Sequence, residues 1–128
     1  MKVPEKYYDE VFEFNGQWDV PSKCGLKIRT CNGTAYLIVT ELYQDNPGTS
    51  VTYAGYSLLK QICESKGFSE KDVIYLECNP DTNSKLSFYD EEVFQVSFPE
   101  ISGTDSPDYR QLSPDEIKSL FPDPDKCT

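Results

Sequence analysis

Hydrophobic and polar positions alternate most clearly on either side of Asn32-Gly33, a pair that favours a two-residue type I′ turn between antiparallel strands. Residues 24–31 and 34–42 flank this pair and are predicted to be the two strands. Residues 35–39 are apolar on both faces, which is typical of a central strand covered on both sides. Counting outward from the turn pairs Leu26 with Val39, Lys27 with Ile38, Ile28 with Leu37 and Arg29 with Tyr36.

A helical period follows between residues 50 and 66. Thr49 or Ser50 is placed to cap the first turn, and Gly67 is placed to end the last one in a left-handed conformation. Gly55 lies inside this predicted helix, where glycine costs about 1 kcal/mol relative to alanine. The apolar side chains recur every three or four residues and predict one buried stripe: Val51, Ala54, Leu58, Leu59, Ile62 and Cys63.

The remaining pattern predicts short strands and one more helix. The strands are expected at residues 11–14, 73–78, 86–89 and 93–98, the last two as a hairpin around residues 90–92. Ser113-Pro114-Asp115-Glu116 has the form of a capping box and predicts a short helix ending near Phe121. The order βββαβββα predicts an α+β fold: a mixed β-sheet of about six strands, one long helix packed on a face, and a short C-terminal helix. Residues 1–128 are expected to form a single domain, with 122–128 a loose tail.

Composition narrows the possible functions. The 128 residues include 22 acids and 12 bases and no histidine, for a net charge of −10. This charge argues against direct binding of nucleic-acid phosphates, and the lack of histidine excludes catalysis or metal binding through an imidazole. No apolar run approaches the ~20 residues that span a bilayer, so no membrane contact is expected.

The acidic charge is concentrated late in the chain. Residues 1–88 carry 12 acids and 9 bases, whereas residues 89–128 carry 10 acids and 3 bases, a net charge of −7. This final third is also rich in proline, so it is interpreted as loops, one short helix and a solvated tail. The five cysteines contain no CxxC pair, and the N-terminus has no apolar signal core, so a cytoplasmic protein with reduced thiols is expected.

The segment 40–52 is the first candidate site, because it leads from the predicted central strand into the long helix. Backbone N–H groups at a helix start attract a small anion, and glycine allows a close approach of the backbone. The residues expected to contribute are Asn46, Gly48, Thr49, Ser50 and Thr52. No glycine-rich phosphate motif is present, so a plain turn with capping hydroxyls is the alternative.

Glu41 and Glu77 form the second candidate, because each lies near the carboxyl end of a strand that flanks the long helix. Two close carboxylates act as an acid–base pair or bind a divalent cation, here together with Asp45 and Asn79. Solvated strand ends are the alternative. No catalytic residue, metal ligand or cofactor is assigned. Trp18, together with Tyr7, Tyr8 and Phe12, is interpreted as a contact patch or as a staple that holds the N-terminus on the sheet.

The stretches 39–42, 45–52 and 74–77 resemble an uncharacterised family of small bacterial proteins, in which T-E-L…D-N-P-G-x-S-V-T-N precedes a helix and a later strand ends near I-E-H-Y-P. The resemblance covers residues 35–98 and implies that Glu41, Asn46, Gly48, Ser50, Thr52 and Glu77 lie in one site. The chain departs from this pattern at three positions: Tyr53 replaces asparagine, Cys78 replaces histidine and Asn79 replaces tyrosine. A function that needs that histidine would be impaired here.

Three functions are compatible with the sequence. The first is a non-catalytic binding or accessory module that recognises a protein or a small ligand through residues 41–52. The second is an acidic inhibitor or immunity-type protein, a nucleic-acid mimic that meets a basic partner through residues 89–128. The third is a carboxylate- or metal-dependent enzyme that uses Glu41 and Glu77.

Overall fold

Six strands form one mixed sheet in the order of the chain, in a computed structural model that describes residues 7–31, 33–42, 50–79 and 92–120. The strands are β1 (Glu10–Asn15), β2 (Pro21–Cys31), β3 (Thr34–Thr40), β4 (Val73–Asn79), β5 (Glu92–Ser97) and β6 (Asp108–Gln111). Neighbouring strands are antiparallel except β3 and β4, which are parallel. The sheet therefore consists of two antiparallel halves that meet at one parallel pair.

The helices are α1 (Val51–Ala54), α2 (Tyr56–Lys66), α3 (Pro99–Ser102) and α4 (Pro114–Leu120), with short 3₁₀ turns at Gln17–Asp19 and Glu70–Asp72. Helices α1 and α2 lie in the connection between the parallel strands, as such a crossover requires. The α+β fold with one longer helix and a short C-terminal helix is confirmed. Among the described residues, no helix is long and apolar enough to span a membrane.

The turn at Asn32-Gly33 sets the register of β2 against β3. Gly33 has φ +82°, a conformation that favours glycine, while Asn32 lies outside the described residues. All four predicted pairs are found: Leu26 with Val39, Lys27 with Ile38, Ile28 with Leu37 and Arg29 with Tyr36. A two-residue turn leaves one register open to its strands, which explains why this part of the sheet is readable from the sequence.

The predicted helix 50–66 is interrupted at Gly55. This residue has φ 54° and ψ −130°, so it ends α1 and precedes α2. The predicted apolar stripe is nevertheless buried, from Val51 in α1 to Cys63 in α2. At the other end Gly67 is left-handed, and the N–H groups of Gly67 and Phe68 both donate to the carbonyl of Cys63, at 2.9 and 3.1 Å.

The C-terminal third contains more structure than its composition indicates. Strand β6 and helix α3 lie where the sequence predicts loops. Residues 86–89, the predicted hairpin partner of β5, are outside the described residues, and the described neighbours of β5 are β4 and β6. The capping box is confirmed, because the N–H of Ser113 donates to Glu116 Oε1 at 3.0 Å and the N–H of Glu116 donates to Ser113 Oγ at 3.3 Å.

Apolar side chains cover both faces of the sheet. On one face α1 and α2 pack against side chains that include Leu26, Leu37, Val39 and Tyr75. The opposite face holds a second cluster: Tyr7, Ile38, Leu42, Leu76, Cys78, Val93, Leu112 and Ile117. Strand β3 is therefore buried on both sides, as predicted. Tyr7 does hold the N-terminal segment against the sheet, whereas Trp18 is 87% exposed and takes no part in it.

Candidate functional site

The parallel pairing of β3 and β4 brings Glu41 and Glu77 to the same edge of the sheet. Val39 pairs with Glu77, and the backbone N–H of Glu41 donates to the carbonyl of Cys78 at 3.2 Å. Because side chains alternate along a strand, Glu41, Val39 and Glu77 all lie on the face that carries the helices. The sequence left open whether the two glutamates converge, and the structure places both at one edge of the sheet.

The first turn of α1 contacts both carboxylates. The N–H of Val51 donates to Glu41 Oε2 at 2.9 Å, and the hydroxyl of Thr52 donates to Glu77 Oε2 at 3.4 Å. Two successive residues of the helix thus hold two glutamates from neighbouring strands. The carboxylate site is the name used below for Glu41, Glu77, Val51 and Thr52.

Both glutamates are buried, and one carboxylate oxygen has an unmet hydrogen bond. Glu41 and Glu77 are each 8% exposed. Within the part of the chain that the structure describes, Glu77 Oε1 is buried and has no hydrogen-bond partner. Buried polar atoms in proteins are nearly always hydrogen-bonded, so this oxygen marks a position where a donor is missing.

Burial raises the pKa of Glu77 to about 7. The hydrogen bond from Thr52 opposes this rise, and the nearby negative charge of Glu41 adds to it. Glu77 therefore changes its protonation state close to neutral pH. A carboxyl group with this property is suited to proton transfer or to binding a group whose charge responds to protonation.

Two further polar side chains lie near the carboxylate site and were not among the predicted site residues. Tyr75 lies two residues before Glu77 on the same strand face, and its buried Oη has no partner among the described residues. Burial, followed by the charge of Glu77, raises the pKa of Tyr75. Cys24 is also buried, and burial together with the charge of Glu41 raises the pKa of its thiol, so Cys24 is not an activated nucleophile. The sequence did contain a signal for Tyr75, because side chains two residues apart on a strand lie on the same face and Tyr75 is two residues before Glu77.

The other predicted site residues divide into two groups. Ser50 Oγ accepts a hydrogen bond from the N–H of Tyr53 at 3.4 Å and so caps α1, and Thr52 contacts Glu77. Asn46, Gly48 and Thr49 lie outside the described residues, as does Asp45. From the predicted set, the structure thus brings Glu41, Thr52 and Glu77 together through the first turn of α1, and Ser50 is the cap of that helix.

The described part of the carboxylate site offers acceptors rather than donors. Helix α1 is only four residues long, and Glu41 already receives the N–H of Val51, a group that the sequence made available to an anion. The arrangement therefore favours a hydrogen-bond donor or a cation over the predicted anionic ligand. Within residues 7–31, 33–42, 50–79 and 92–120, no group of three or more His, Cys, Asp or Glu side chains is placed to hold a metal ion.

Comparisons of the chain with protein-family models, with curated proteins and with solved structures find no match.

Proposed function

We propose that this protein is a small binding module whose ligand site is formed by the end of β3, the start of α1 and the end of β4. The ligand contacts the carboxylate site, and residues 41–52 are the segment that recognises it. Binding needs no chemical step, which agrees with an inventory that lacks histidine.

The unpartnered Oε1 of Glu77 is the observation that carries this proposal. Burying a polar atom without a hydrogen bond costs about 1–3 kcal/mol, and more for a charged group. A glutamine or an apolar residue would avoid the repulsion between Glu77 and Glu41. A ligand that supplies the missing donor explains why a destabilising carboxylate occupies this position.

A thermal-shift screen against a metabolite library tests the proposal. A true ligand raises the melting temperature of the native protein, and this shift is lost in Glu77→Gln and reduced in Glu41→Gln. Glu64→Gln is the matched control, because Glu64 is exposed on α2 away from the carboxylate site. A ligand whose shift is equal in all three variants binds elsewhere and contradicts the proposal.

We also propose that the protein is located in the cytoplasm. Cys24, Cys63 and Cys78 are free thiols buried in the two apolar clusters, and a reducing compartment suits such residues. Mass measurement after alkylation of the unfolded protein tests this location. Full modification of these three thiols in protein taken directly from cells is expected, and a disulfide involving any of them contradicts it.

Inhibition of a basic partner is the second candidate, and the exposed acids of the C-terminal third favour it. Those among the described residues are Glu92, Glu100, Asp105, Asp108 and Asp115. Arg110 adds little opposing charge because it forms an ion pair with Glu116 at 3.2 Å. This function predicts binding to a basic enzyme that weakens with salt and with Asp105→Asn and Asp108→Asn, but not with Glu77→Gln. Binding that weakens with Glu77→Gln but not with Asp105→Asn or Asp108→Asn would mean that the partner contacts the carboxylate site instead.

A further inference from the structure

We propose that the ligand of the carboxylate site binds through a primary ammonium group. This inference rests on the proposed function and adds the chemical class of the ligand. It follows from the unpartnered oxygen of Glu77, from the hydrogen bonds that Glu41 and Glu77 already accept, and from the partly exposed ring of Phe94 beside Glu77 in the sheet.

The unmet group is a single acceptor, and the site around it is negative. Glu77 Oε1 is buried and unpartnered among the described residues, and Glu41 lies on the same face of the adjoining strand. A donor that also carries positive charge satisfies the oxygen and offsets the repulsion between the two carboxylates. An ammonium group satisfies the oxygen and offsets the repulsion through one N–H···O hydrogen bond.

The geometry distinguishes an ammonium from a guanidinium. A guanidinium binds a carboxylate best with two parallel hydrogen bonds, which need both oxygens of that carboxylate. Glu77 Oε2 already accepts the hydroxyl of Thr52 at 3.4 Å, and Glu41 Oε2 already accepts the N–H of Val51. A carboxylate oxygen accepts up to two hydrogen bonds, but Oε1 is the oxygen of Glu77 that has no donor among the described residues, and a compact point donor is sufficient to satisfy it.

The neighbours of Glu77 distinguish an alkylammonium from a hydrated metal ion. In the sheet Glu77 is flanked by Val39 on β3 and by Phe94 on β5, and Val39 is fully buried. Magnesium and calcium require about six or more oxygen ligands, including waters. Of these two side chains Phe94 is partly exposed, and its ring instead suits the carbon chain that carries an ammonium group.

Amide chemical shifts of the isotopically labelled protein test the inference. The probes are n-butylamine, putrescine and Nα-acetyl-lysine amide, which are all protonated at neutral pH. The controls are tetramethylammonium, which is a cation without N–H donors, n-butanol, magnesium chloride and inorganic phosphate. The protonated amines are expected to shift the amide signals of Thr52 and Glu77 saturably, and tetramethylammonium and butanol are not.

Variants make the assignment specific. Binding of the amines is expected to weaken about tenfold or more in Glu77→Gln, since a charged acceptor is replaced by a neutral amide, and to stay unchanged in Glu64→Gln. A dispersed spectrum of Glu77→Gln shows that the variant is folded. Tighter binding of acetyl-lysine amide identifies a lysine side chain of a partner as the source of the ammonium, and tighter binding of putrescine identifies a free amine.

Two results overturn the inference and separate it from the proposed function. Saturable shifts at the carboxylate site with magnesium or phosphate, but not with amines, reject the ammonium and leave the binding function standing. No shift with any probe also rejects the ammonium. In that case a metabolite found in the thermal-shift screen, with its shift lost in Glu77→Gln, still supports the proposed function.

Discussion

Glu77 combines two properties that oppose each other in a folded protein. Its side chain lies between Val39 and Phe94 in the buried layer under α1, yet it carries an ionisable group. The hydroxyl of Thr52 donates to one carboxylate oxygen, and the other oxygen has no hydrogen-bond partner among the described residues. A single residue therefore links the stability of the molecule to pH and to occupation of the carboxylate site.

The raised pKa of Glu77 predicts the direction of this pH dependence. The folded protein holds the proton up to a pH of about 7, whereas the unfolded chain releases it near the ordinary value of 4.5. The folded state thus binds more protons than the unfolded chain between these two pH values, so the free energy of unfolding decreases as the pH rises through this window. The stabilising contribution of protonated Glu77 is complete below the window and is lost above it. The contribution lost is about 3 kcal/mol, from 1.4 kcal/mol for each pKa unit.

Urea unfolding of the native protein and of Glu77→Gln, at a pH of about 4 and of about 8, measures this effect. The variant is expected to gain stability relative to the native protein as the pH rises, because it lacks the group that ionises. Parallel pH dependences in the two proteins would mean that Glu77 ionises normally. Glu64→Gln, on the exposed side of α2, is expected to follow the native protein.

Gly25 gives a second residue-scale prediction. A Cβ atom there would lie 2.7 Å from Cβ of Tyr8 and 2.8 Å from its Cγ, atoms that are fixed close to the backbone. Gly25→Ala is therefore expected to lower the free energy of unfolding by about 1–3 kcal/mol. In a Tyr8→Gly background, which lacks both of these atoms, the same change should cost much less, and an equal cost in both backgrounds would disprove the contact.

Some of the carboxylate site was readable from the sequence, and the reason is physical. Parallel strands end at a common edge, so the strand–helix–strand pattern made Glu41 and Glu77 candidates for one site, on the condition that their strands are neighbours, which the structure now shows. The contact between Glu41 and the N–H of Val51 was not readable, because it depends on how the first turn of α1 sits over the sheet. The anion expected at that helix start is replaced by a carboxylate of the protein itself.

At the scale of elements, Gly55 divides one predicted helix into two. Its ψ of −130° with φ of 54° is a combination that residues with a Cβ atom rarely adopt. The periodicity of the apolar residues continues across the break, which is why the pattern predicts a single helix. The backbone of Gly55 allows α1 to sit over the carboxylate site while α2 covers the sheet.

Gly55→Ala is therefore predicted to destabilise the protein, although alanine favours a helix by about 1 kcal/mol over glycine. The expected loss is about 1–3 kcal/mol, because the new side chain is strained at this φ and ψ. Ser65→Ala, at an exposed position within α2, is the control and should be neutral or slightly stabilising. Thermal unfolding of the three proteins distinguishes the outcomes, and a more stable Gly55→Ala would contradict the break.

Elements with local chemical signals were the ones that the sequence predicted well. The turn at Asn32-Gly33 and the capping box at Ser113 and Glu116 each specify their own backbone geometry. Strand β6 carries no such signal, because all four of its side chains are exposed and no alternation is visible. Its pairing with β5 is decided by tertiary structure, which local patterns do not report.

At the scale of the whole molecule, the acidic third and the apolar core occupy the same segment. Residues 89–128 carry most of the excess negative charge, yet Val93, Leu112 and Ile117 from this segment belong to the cluster on the second face of the sheet. Among the described residues of this segment, Glu92, Glu100, Asp105, Asp108 and Asp115 are exposed, whereas Val93, Leu112 and Ile117 are buried. The predicted strand at 93–98 and the predicted C-terminal helix are found, whereas the expectation of loops between them was wrong where α3 and β6 form. The predicted loose tail at 122–128 lies outside the described residues.

This arrangement predicts that α4 is needed for the stability of the entire fold. Ile117 is 7% exposed and packs in a cluster with Ile38 and Leu76 from the central strands. Ile117→Ala is expected to lower the free energy of unfolding by about 2–4 kcal/mol, the usual range for removing a buried aliphatic side chain. The same unfolding transition is expected by fluorescence and by circular dichroism, because the second face cannot be exposed without exposing β3.

Asp105→Ala is the matched control, since Asp105 is an exposed acid of the same segment and its removal should change stability by less than about 0.5 kcal/mol. Equal stabilities of Ile117→Ala and Asp105→Ala would show that α4 does not cover the sheet. A large loss of stability in Ile117→Ala, with none in Asp105→Ala, would show that α4 covers the sheet. This position of α4 has a functional consequence. Because α4 covers one face and the carboxylate site lies on the other, a partner bound to the exposed acid of α4, Asp115, and a ligand bound at Glu77 would occupy opposite faces of the sheet.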